Sequence, residues 1–245
     1  MGKKNQMIQT IPVVRVNNRN RNLKFYLESL GMKNLLEEGA TASLGDQTKT
    51  ERLLLEEVPS TRARKVEGTK KLGRIIFRVA EASEVESLLA DLAGDYELYQ
   101  GPKGYAFSLQ SPEGDTFLLH AEASYLDLKP LSERPSFKKA ADFQGLSQFE
   151  LEKIEICVPQ VQESQSFYQK LLGTTDLLDF KEAQGADLTT SDFVWDLSML
   201  KFQLADFEVA DLAVRLKPDQ YFLPKSKKFF LVADPSQIEL WFEAL

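Results

Sequence analysis

The alternation of apolar and polar residues near the start of the chain predicts a strand that leads into an amphipathic helix. Residues 14–16, Val-Arg-Val, alternate as a half-buried strand does. Phe25-Tyr26 and Leu30 then recur at helical spacing, and Gly31 stands where a helix commonly ends with a positive φ.

The same pattern returns later in the chain, with each landmark displaced by 142 residues. Ile156-Cys157-Val158 corresponds to the first strand, and Phe167-Tyr168 and Leu172-Gly173 correspond to the first helix and its end. Identical spacing at several positions is improbable by chance, so the chain contains an internal repeat.

The first half of the chain holds two such units in this interpretation. Arg74 to Val79 alternates again, and a helix is predicted from Ser83 to Gly94. Further strands are predicted at residues 35–38, 41–44, 53–57, 105–109 and 116–120. The predicted fold class is therefore α+β, built from tandem βαβββ modules.

The second half is expected to be shorter in its last module. Leu212, Val214 and Leu216 alternate as a strand does, but Pro218 and Pro224 leave no room for a full helix before the next apolar run. We therefore predict two domains of two modules each, the fourth module being abbreviated by loss of its helix.

A segment without clear periodicity separates the two halves. Residues 124–150 contain prolines and mixed charges, which is typical of a linker. The predicted organisation is a first domain at residues 1–123, a linker at 124–150 and a second domain at 151–245. All of the net negative charge falls in the second domain.

The composition excludes several classes of protein. The 245 residues carry a net charge of −7, so the chain lacks the basic surface that a nucleic acid requires of its partner. One cysteine and one histidine exclude an internal disulfide framework, a thiolate zinc cluster and any site that needs two imidazoles.

The chain also lacks the sequence features of a membrane or secreted protein. No apolar run is long enough to span a bilayer, and no signal-peptide core follows the basic start. A membrane is not an expected partner. The expected compartment is the cytoplasm, with unconventional release or surface association left open.

The repeated module resembles that of the glyoxalase, bleomycin-resistance and extradiol dioxygenase superfamily, also called vicinal oxygen chelate proteins. Residues 25–31 and 111–115 carry this resemblance in the first half, and residues 167–173 and Asp234-Pro235 carry it in the second. Residues 9–123 match two complete modules, and residues 151–245 match less fully. The resemblance implies a glyoxalase-like fold in both domains.

A glyoxalase-like tandem of this length, with a shortened second half, also resembles the bacterial CppA family. That resemblance implies a proteinase that degrades complement component C3. It supplies no motif that can be placed on particular residues of this chain. No Gly-x-Ser-x-Gly elbow is present, and His120 would be the only imidazole base available to a catalytic triad.

The superfamily resemblance implies metal ligands, His, His and Glu, on cleft-facing positions of the first and last strands of a module. Strand periodicity places these positions at Ile11, Arg74 and Leu118 in the first domain. None of these side chains binds a divalent cation, so we expect no metal and no cofactor. Metal-dependent glyoxalase or dioxygenase activity is accordingly not expected.

The same periodicity places a cationic set in the cleft of the first domain: Arg15, Arg74, Arg78 and His120. Such a set suits a carboxylate or phosphate ligand. The alternative is that Arg15 and Arg78 are solvated strand residues paired with Glu or Asp, and that His120 is a hydrogen-bonded surface imidazole.

In the second domain the corresponding positions hold Lys153, Asp211 and Glu239, and Trp241 lies on the same predicted face. This set suits a salt-bridged remnant of a metal site. Alternatively, Asp211 and Glu239 share a proton as an acid–base pair, although Lys153 would favour two ionised carboxylates. Cys157 is either the nucleophile of a thiol protease or a small packing residue.

Three functions follow as hypotheses. The first is a proteinase acting on complement C3, with Cys157, or Asp211 with Glu239, as candidate catalytic residues. The second is a metal-free binding protein for an anionic small molecule or a peptide, with candidate binding residues Arg15, Arg74, Arg78, His120, Lys153 and Trp241. The third is an interaction scaffold whose clefts are filled by neighbouring strands or a partner chain.

Overall fold

The computed structural model describes residues 5–245 of the chain. The first module follows the predicted plan: β1 Met7–Val16, α1 Arg19–Glu28, β2 Lys33–Glu38, β3 Thr41–Gly45 and β4 Glu51–Glu57. Asn18 caps α1 by accepting a hydrogen bond from the backbone amide of Arg21. β1 pairs with β4 in parallel, and β3 and β2 continue the sheet antiparallel beyond β4.

The second module repeats this plan and adds one short strand. Its elements are β5 Leu72–Val79, α2 Ala82–Asp91, β6 Glu97–Gln100, β7 Tyr105–Gln110, β8 Thr116–His120 and the additional β9 Lys129–Leu131. β5 pairs with β8 in parallel, as β1 does with β4. β9 lies within the predicted linker and pairs with β6, so this part of residues 124–150 belongs to a sheet.

The third module is the one that lacks strands. It consists of β10 Phe149–Val158, α3 Val161–Leu172 and β11 Leu178–Glu182. Gly173 ends α3 in the left-handed region, with a φ of 77°, as the repeat predicts. β11 pairs with β10 in parallel and so takes the place that β4 and β8 hold in the first two modules. The two antiparallel strands of those modules have no counterpart here among the described residues.

The fourth module is complete in strand number but short in its helix and its second strand. Its elements are β12 Leu197–Leu204, α4 Val209–Ala213, β13 Tyr221–Phe222, β14 Phe229–Ala233 and β15 Glu239–Ala244. The module is thus abbreviated as expected, but it keeps a helix of five residues where we predicted none.

The predicted strand at residues 212–216 is wrong, because this segment begins in α4. Leu212 is buried while Val214 is 81% exposed, and Asp211 forms an ion pair with Arg215 four residues later. Both observations fit helical spacing rather than the alternation of a strand. The first strand of the fourth module is β12, whose own alternation the sequence analysis overlooked.

Each of the two sheets contains strands from both halves of the chain. The eight-stranded sheet has the order β13-β14-β15-β12-β1-β4-β3-β2, and the seven-stranded sheet has the order β11-β10-β5-β8-β7-β6-β9. Antiparallel pairing of β1 with β12 and of β10 with β5 joins the halves. The α+β fold of βαβββ modules is confirmed. The domain limits stay a prediction, but the sheets do not follow them.

The helices cover one face of each sheet, and the strand residues beneath them form the apolar core. Val14, Phe77, Ile154 and Phe242 belong to this core from four different strands. The alternate strand residues lie on the opposite face of each sheet, which we call its cleft face. Over residues 5–245, no helix combines the length and apolar character that crossing a bilayer requires.

A buried tyrosine ties the third helix to the fourth module. The hydroxyl of Tyr168 donates to Asp234 Oδ2 at 2.9 Å, and Asp234 Oδ1 accepts from the backbone amides of Ser236 and Ile238 at 2.9 and 2.7 Å. Burial raises the pKa of Asp234 to about 6 despite these donors. The contact fixes α3 over the turn between β14 and β15.

A second group of contacts joins the two segments that cross from one sheet to the other, namely the segment from β4 to β5 and the segment from β11 to β12. Arg64 donates two hydrogen bonds to the carboxylate of buried Asp187, at 2.6 and 2.8 Å, and Asp187 also accepts from the backbone amide of Glu67. Trp195 Nε1 donates to the carbonyl of Val58 at 2.7 Å. The segments before β5 and before β12 are thereby held to each other.

Candidate functional site

The cleft face of the seven-stranded sheet carries paired charges rather than a free cationic set. Arg74 donates to Glu155 Oε1 at 2.7 Å, and Lys181 lies 3.1 Å from the same oxygen. The two cations lower the pKa of Glu155, although its burial acts in the opposite direction. The ring of Tyr125 lies 5.9 Å from the Arg74 guanidinium. Arg74 is therefore ion-paired within the protein, although its buried Nε has no hydrogen-bond partner among the described residues.

Arg78 and His120 form a second paired group on this face. Arg78 binds Glu150, and its Nε lies 3.9 Å from Glu152 Oε2. His120 is fully buried, and its Nδ1 accepts a hydrogen bond from the backbone amide of Glu122. A neutral imidazole with this bond carries its proton on Nε2, which lies 3.0 Å from Glu152 Oε2.

Burial is the main reason that His120 stays neutral. Desolvation, together with the positive charges of Arg78 and Lys103, lowers the pKa of His120 to about 4. A neutral imidazole adds no positive charge to the cleft face at neutral pH. On this face the arginines are ion-paired and His120 is hydrogen-bonded, as in the alternative interpretation, but the imidazole is buried rather than at the surface.

Arg15 does not join the other members of the predicted cationic set. It lies on β1 in the eight-stranded sheet, where its Nε donates to Glu56 at 2.8 Å and its guanidinium stacks 4.5 Å from the Phe193 ring centre. Arg74, Arg78 and His120 lie in the seven-stranded sheet. The set is divided because the first two modules contribute to different sheets.

The predicted triad of Lys153, Asp211 and Glu239 is not assembled either. Lys153 lies at a register shift in β10, and its ammonium donates to the carbonyl of Asp176. Asp211 is in α4, on the helix side of the eight-stranded sheet, where Arg215 binds it. Glu239 lies on the cleft face of the same sheet. Asp211 and Glu239 are thus on opposite faces and do not form an acid–base pair.

Cys157 lacks the surroundings of an activated nucleophile. Its backbone amide bonds to the carbonyl of Lys71 at one end of β5, whereas His120 pairs with Arg78 at the other end. At about 3.3 Å per residue, these positions are roughly 20 Å apart along the strand. Burial, with the negative charges of Asp196 and Glu155, raises the pKa of the Cys157 thiol.

The metal-ligand positions of the superfamily do not fit a metal ion in this chain. Ile11 is on β1 of one sheet, and Arg74 and Leu118 are on paired strands of the other. Ile11 and Leu118 are buried apolar side chains, and Arg74 is bound to Glu155. Among residues 5–245, no three His, Cys, Asp or Glu side chains are grouped as metal ligands would be.

The cleft face of the eight-stranded sheet presents a row of three aromatic rings, of which two are stacked. The rings of Trp241 and Phe229 are parallel to within 14°, with centres 3.8 Å apart, and Phe222 follows at 6.0 Å from Phe229. Phe222 is 56% exposed, whereas Trp241 and Phe229 are half-buried. We call Trp241, Phe229 and Phe222 the aromatic row.

Charged side chains border the aromatic row at Trp241. Trp241 Nε1 donates to Glu243 Oε2 at 2.9 Å, and Lys201 Nζ lies 2.9 Å from Glu243 Oε1. The sequence analysis named Trp241 but missed Phe222, Phe229 and Lys201. Alternation along β12 was the available signal for Lys201, whereas β14 is apolar throughout and its sequence gives no period of two that would assign Phe229 to a face.

A cavity of about 630 Å³ lies outside both cleft faces, between the end of α3, residues 5–7 and α4. Asp211 and Arg215 are both in its lining, and Arg215 also donates to the carbonyl of Leu171. Asp211 therefore lines a cavity, but a different one from the predicted cleft.

The single histidine permits a direct test of the buried, neutral imidazole. We expect the His120 ring signals in an NMR titration to stay in the neutral position from pH 8 to pH 5 and to shift only near pH 4. The folded pKa lies below the usual value, so His120 lowers the free energy of unfolding as the pH falls from about 6.5 towards 4. A midpoint near 6.5 in the folded protein, as expected in urea, would contradict this geometry.

The single cysteine permits an equally direct test of nucleophilicity. We expect Cys157 to react with iodoacetamide more slowly than free glutathione at pH 7.5, because its pKa is raised and its side chain is half-buried. The rate should rise as the pH is increased beyond 9. Reaction faster than glutathione at pH 7.5 would indicate an activated thiolate, and the unfolded protein in urea supplies the unhindered reference.

Comparisons with known proteins agree with this fold. The model of the CppA N-terminal domain matches residues 9–134, and that of the CppA C-terminal domain matches residues 146–242. The crystal structure of the cppA protein from Streptococcus pneumoniae is 45% identical, with a TM-score of 0.91 over 99% of this chain and 100% of that one. No curated protein matches the chain.

More distant structures share the fold alone. Glyoxalase I from Zea mays matches with a TM-score of 0.58 at 15% identity, over 98% of this chain and 92% of that one. A candidate dioxygenase from Bacillus subtilis matches with a TM-score of 0.65 at 11% identity, over 99% and 86%. These likenesses extend over the whole chain and place it in the glyoxalase-like fold. The two domain models and the 45% identical structure from Streptococcus pneumoniae show that the chain belongs to the CppA family.

Proposed function

We propose that this member of the CppA family is a binding protein that holds an extended peptide segment of a protein partner on the cleft face of the eight-stranded sheet. The observation that carries the proposal is the aromatic row of Trp241, Phe229 and Phe222. Aromatic side chains supply large contact areas at low entropic cost and dominate many protein interfaces.

The exposure of the aromatic row supports a peptide ligand. Phe222 projects into solvent from a strand of two residues at the edge of the sheet, and Phe229 and Trp241 lead inward from it. A row that extends across three neighbouring strands can contact several side chains of an extended segment. A small anion would need free cations, and Lys201 beside Trp241 is already bound to Glu243.

Charged side chains surround the aromatic row and would form the polar rim of a binding site. Lys201 also lies 3.9 Å from Glu51, and Glu239 lies two residues before Trp241, on the same face of the strand. Binding sites commonly surround an aromatic centre with polar groups that orient the ligand. Charge complementarity here fixes the register of a bound segment more than it contributes to affinity.

Because the CppA family is associated with complement C3, we propose C3 as the protein partner. Degradation of C3 is the second candidate function. A proteinase needs a nucleophile or an activated water and a base within hydrogen-bond reach. Cys157 has no imidazole base within reach, because His120 lies at the other end of β5. Asp211 and Glu239 lie on opposite faces of their sheet. Both arrangements favour binding over cleavage. An encounter with C3 also requires the protein to reach the cell surface, by release or by surface association.

One experiment separates binding from cleavage. Purified protein is incubated with complement C3, with binding followed by surface plasmon resonance and C3 integrity followed on gels. We expect saturable binding of C3 that stays intact, and roughly tenfold or greater weakening in the Trp241→Ala and Phe222→Ala variants, because truncated aromatic contacts commonly cost more than about 1.4 kcal/mol. Tyr99→Ala, on the cleft face of the other sheet, should bind as the unchanged protein does.

Three other results of this experiment would contradict the proposal. Time-dependent cleavage that is lost in Cys157→Ala, or in Asp211→Ala with Glu239→Ala, would establish the proteinase instead. Equal binding by the Trp241, Phe222 and Tyr99 variants would place the site elsewhere. No binding and no cleavage, under conditions where a control protease cuts C3, would remove C3 as the partner.

A further inference from the structure

The third module leaves one edge of the seven-stranded sheet open. In the first, second and fourth modules, the last strand is followed outward in the sheet by two antiparallel strands. β11 holds the same position in the third module, but no described strand pairs with its outer side. Exposed strand edges present unpaired N–H and C=O groups and are a recurring route to association with another chain.

The backbone bonds of β11 show which groups point outward. Ile154 donates to the carbonyl of Leu177, and Ala183 donates to the carbonyl of Val158, so residues 177 and 183 point towards β10. Because N–H and C=O groups alternate sides along a strand, those of Phe180 and Glu182 point away from β10. The amide of Leu178 already bonds to the carbonyl of Thr175.

The side chains of β11 are self-complementary. Asp179 and Lys181 lie on the cleft face, on either side of Phe180, which packs into the core from the other face. Lys181 is 52% exposed, and no cation within the described chain forms an ion pair with Asp179. An antiparallel copy of this strand would set each charge opposite its complement.

We propose that a second copy of this chain pairs with β11, antiparallel, about a two-fold axis at Phe180. Phe180 exchanges both backbone hydrogen bonds with the partner's Phe180, and the amide of Glu182 donates to the carbonyl of the partner's Leu178. Asp179 then lies directly opposite the partner's Lys181 in a pair without backbone bonds, where side chains approach most closely.

The other sheet edges are less suited to this pairing. β13 has two residues and β9 has three, including Pro130, and short edge strands and proline both oppose strand addition. β2 ends in Glu37 and Glu38, so its exposed end carries two negative charges. The five residues of β11 combine sufficient length with paired charges of opposite sign.

A charge exchange tests the interface in the full-length protein. Sedimentation equilibrium should show a dimer for the unchanged chain. Asp179→Lys and Lys181→Asp each place like charges opposite one another at two symmetric sites, so each variant should raise the dimer dissociation constant by roughly tenfold or more. The double variant Asp179→Lys, Lys181→Asp restores both pairs and should return the dissociation constant towards that of the unchanged protein.

Two controls keep the result specific. Lys181→Asp also removes a contact with Glu155, so Glu155→Gln serves as the matched variant and should remain dimeric. Far-ultraviolet circular dichroism verifies that each variant is folded. A monomeric unchanged protein at the highest concentration reached, single variants that dimerise normally, or a double variant weaker than both singles would each overturn the proposal.

Discussion

The arrangement of the molecule depends on two antiparallel strand pairs that join the halves of the chain. β1 pairs with β12, and β5 pairs with β10, so the first module shares a sheet with the fourth and the second shares a sheet with the third. These pairs decide which side chains meet on each cleft face. Arg74 therefore contacts Glu155 from the other half of the chain, whereas Arg15 is in a different sheet.

The same pairing explains why the two cleft faces differ in character. The seven-stranded sheet unites basic positions of the second module with acidic positions of β10, and the charges neutralise one another in ion pairs. Buried or half-buried charges that are already paired have little to gain from a ligand. The eight-stranded sheet also pairs its charges, as Arg15 with Glu56 and Lys201 with Glu243, but the fourth module adds the aromatic row, so its cleft face presents exposed aromatic surface.

Local pattern predicted the elements of the fold but not their partners. Alternation and helical spacing predicted the first module, most of the second, and α3 with its terminal glycine, because these features depend on neighbours in sequence. The pattern was misread at residues 212–216, where alternating leucines also lie four residues apart and satisfy a helical turn. In a segment this short the two periods cannot be distinguished.

The candidate site was less predictable for the same reason. The cleft-facing residues of individual strands follow from periodicity, but their partners depend on which modules share a sheet, and the sequence contains no local signal for that choice. Glu56, Glu150 and Glu155 neutralise the predicted arginines from other strands. Phe229 was missed because residues 229–233 are apolar throughout and show no alternation, and Phe222 was missed because no strand was predicted at residues 221–222.

A disulfide cross-link tests most directly whether the halves of the chain are joined in this way. Gln9 and Gln203 are direct partners on β1 and β12, and opposed residues of an antiparallel pair have Cα atoms about 4.5–5.5 Å apart, which a disulfide can bridge. Both would be changed to cysteine in a Cys157→Ser background. We expect rapid cross-linking on mild oxidation, whereas cysteines at Gln9 and Gln100, both in the first half but in different sheets, should remain reduced. Cross-linking of the second pair but not of the first would contradict the account.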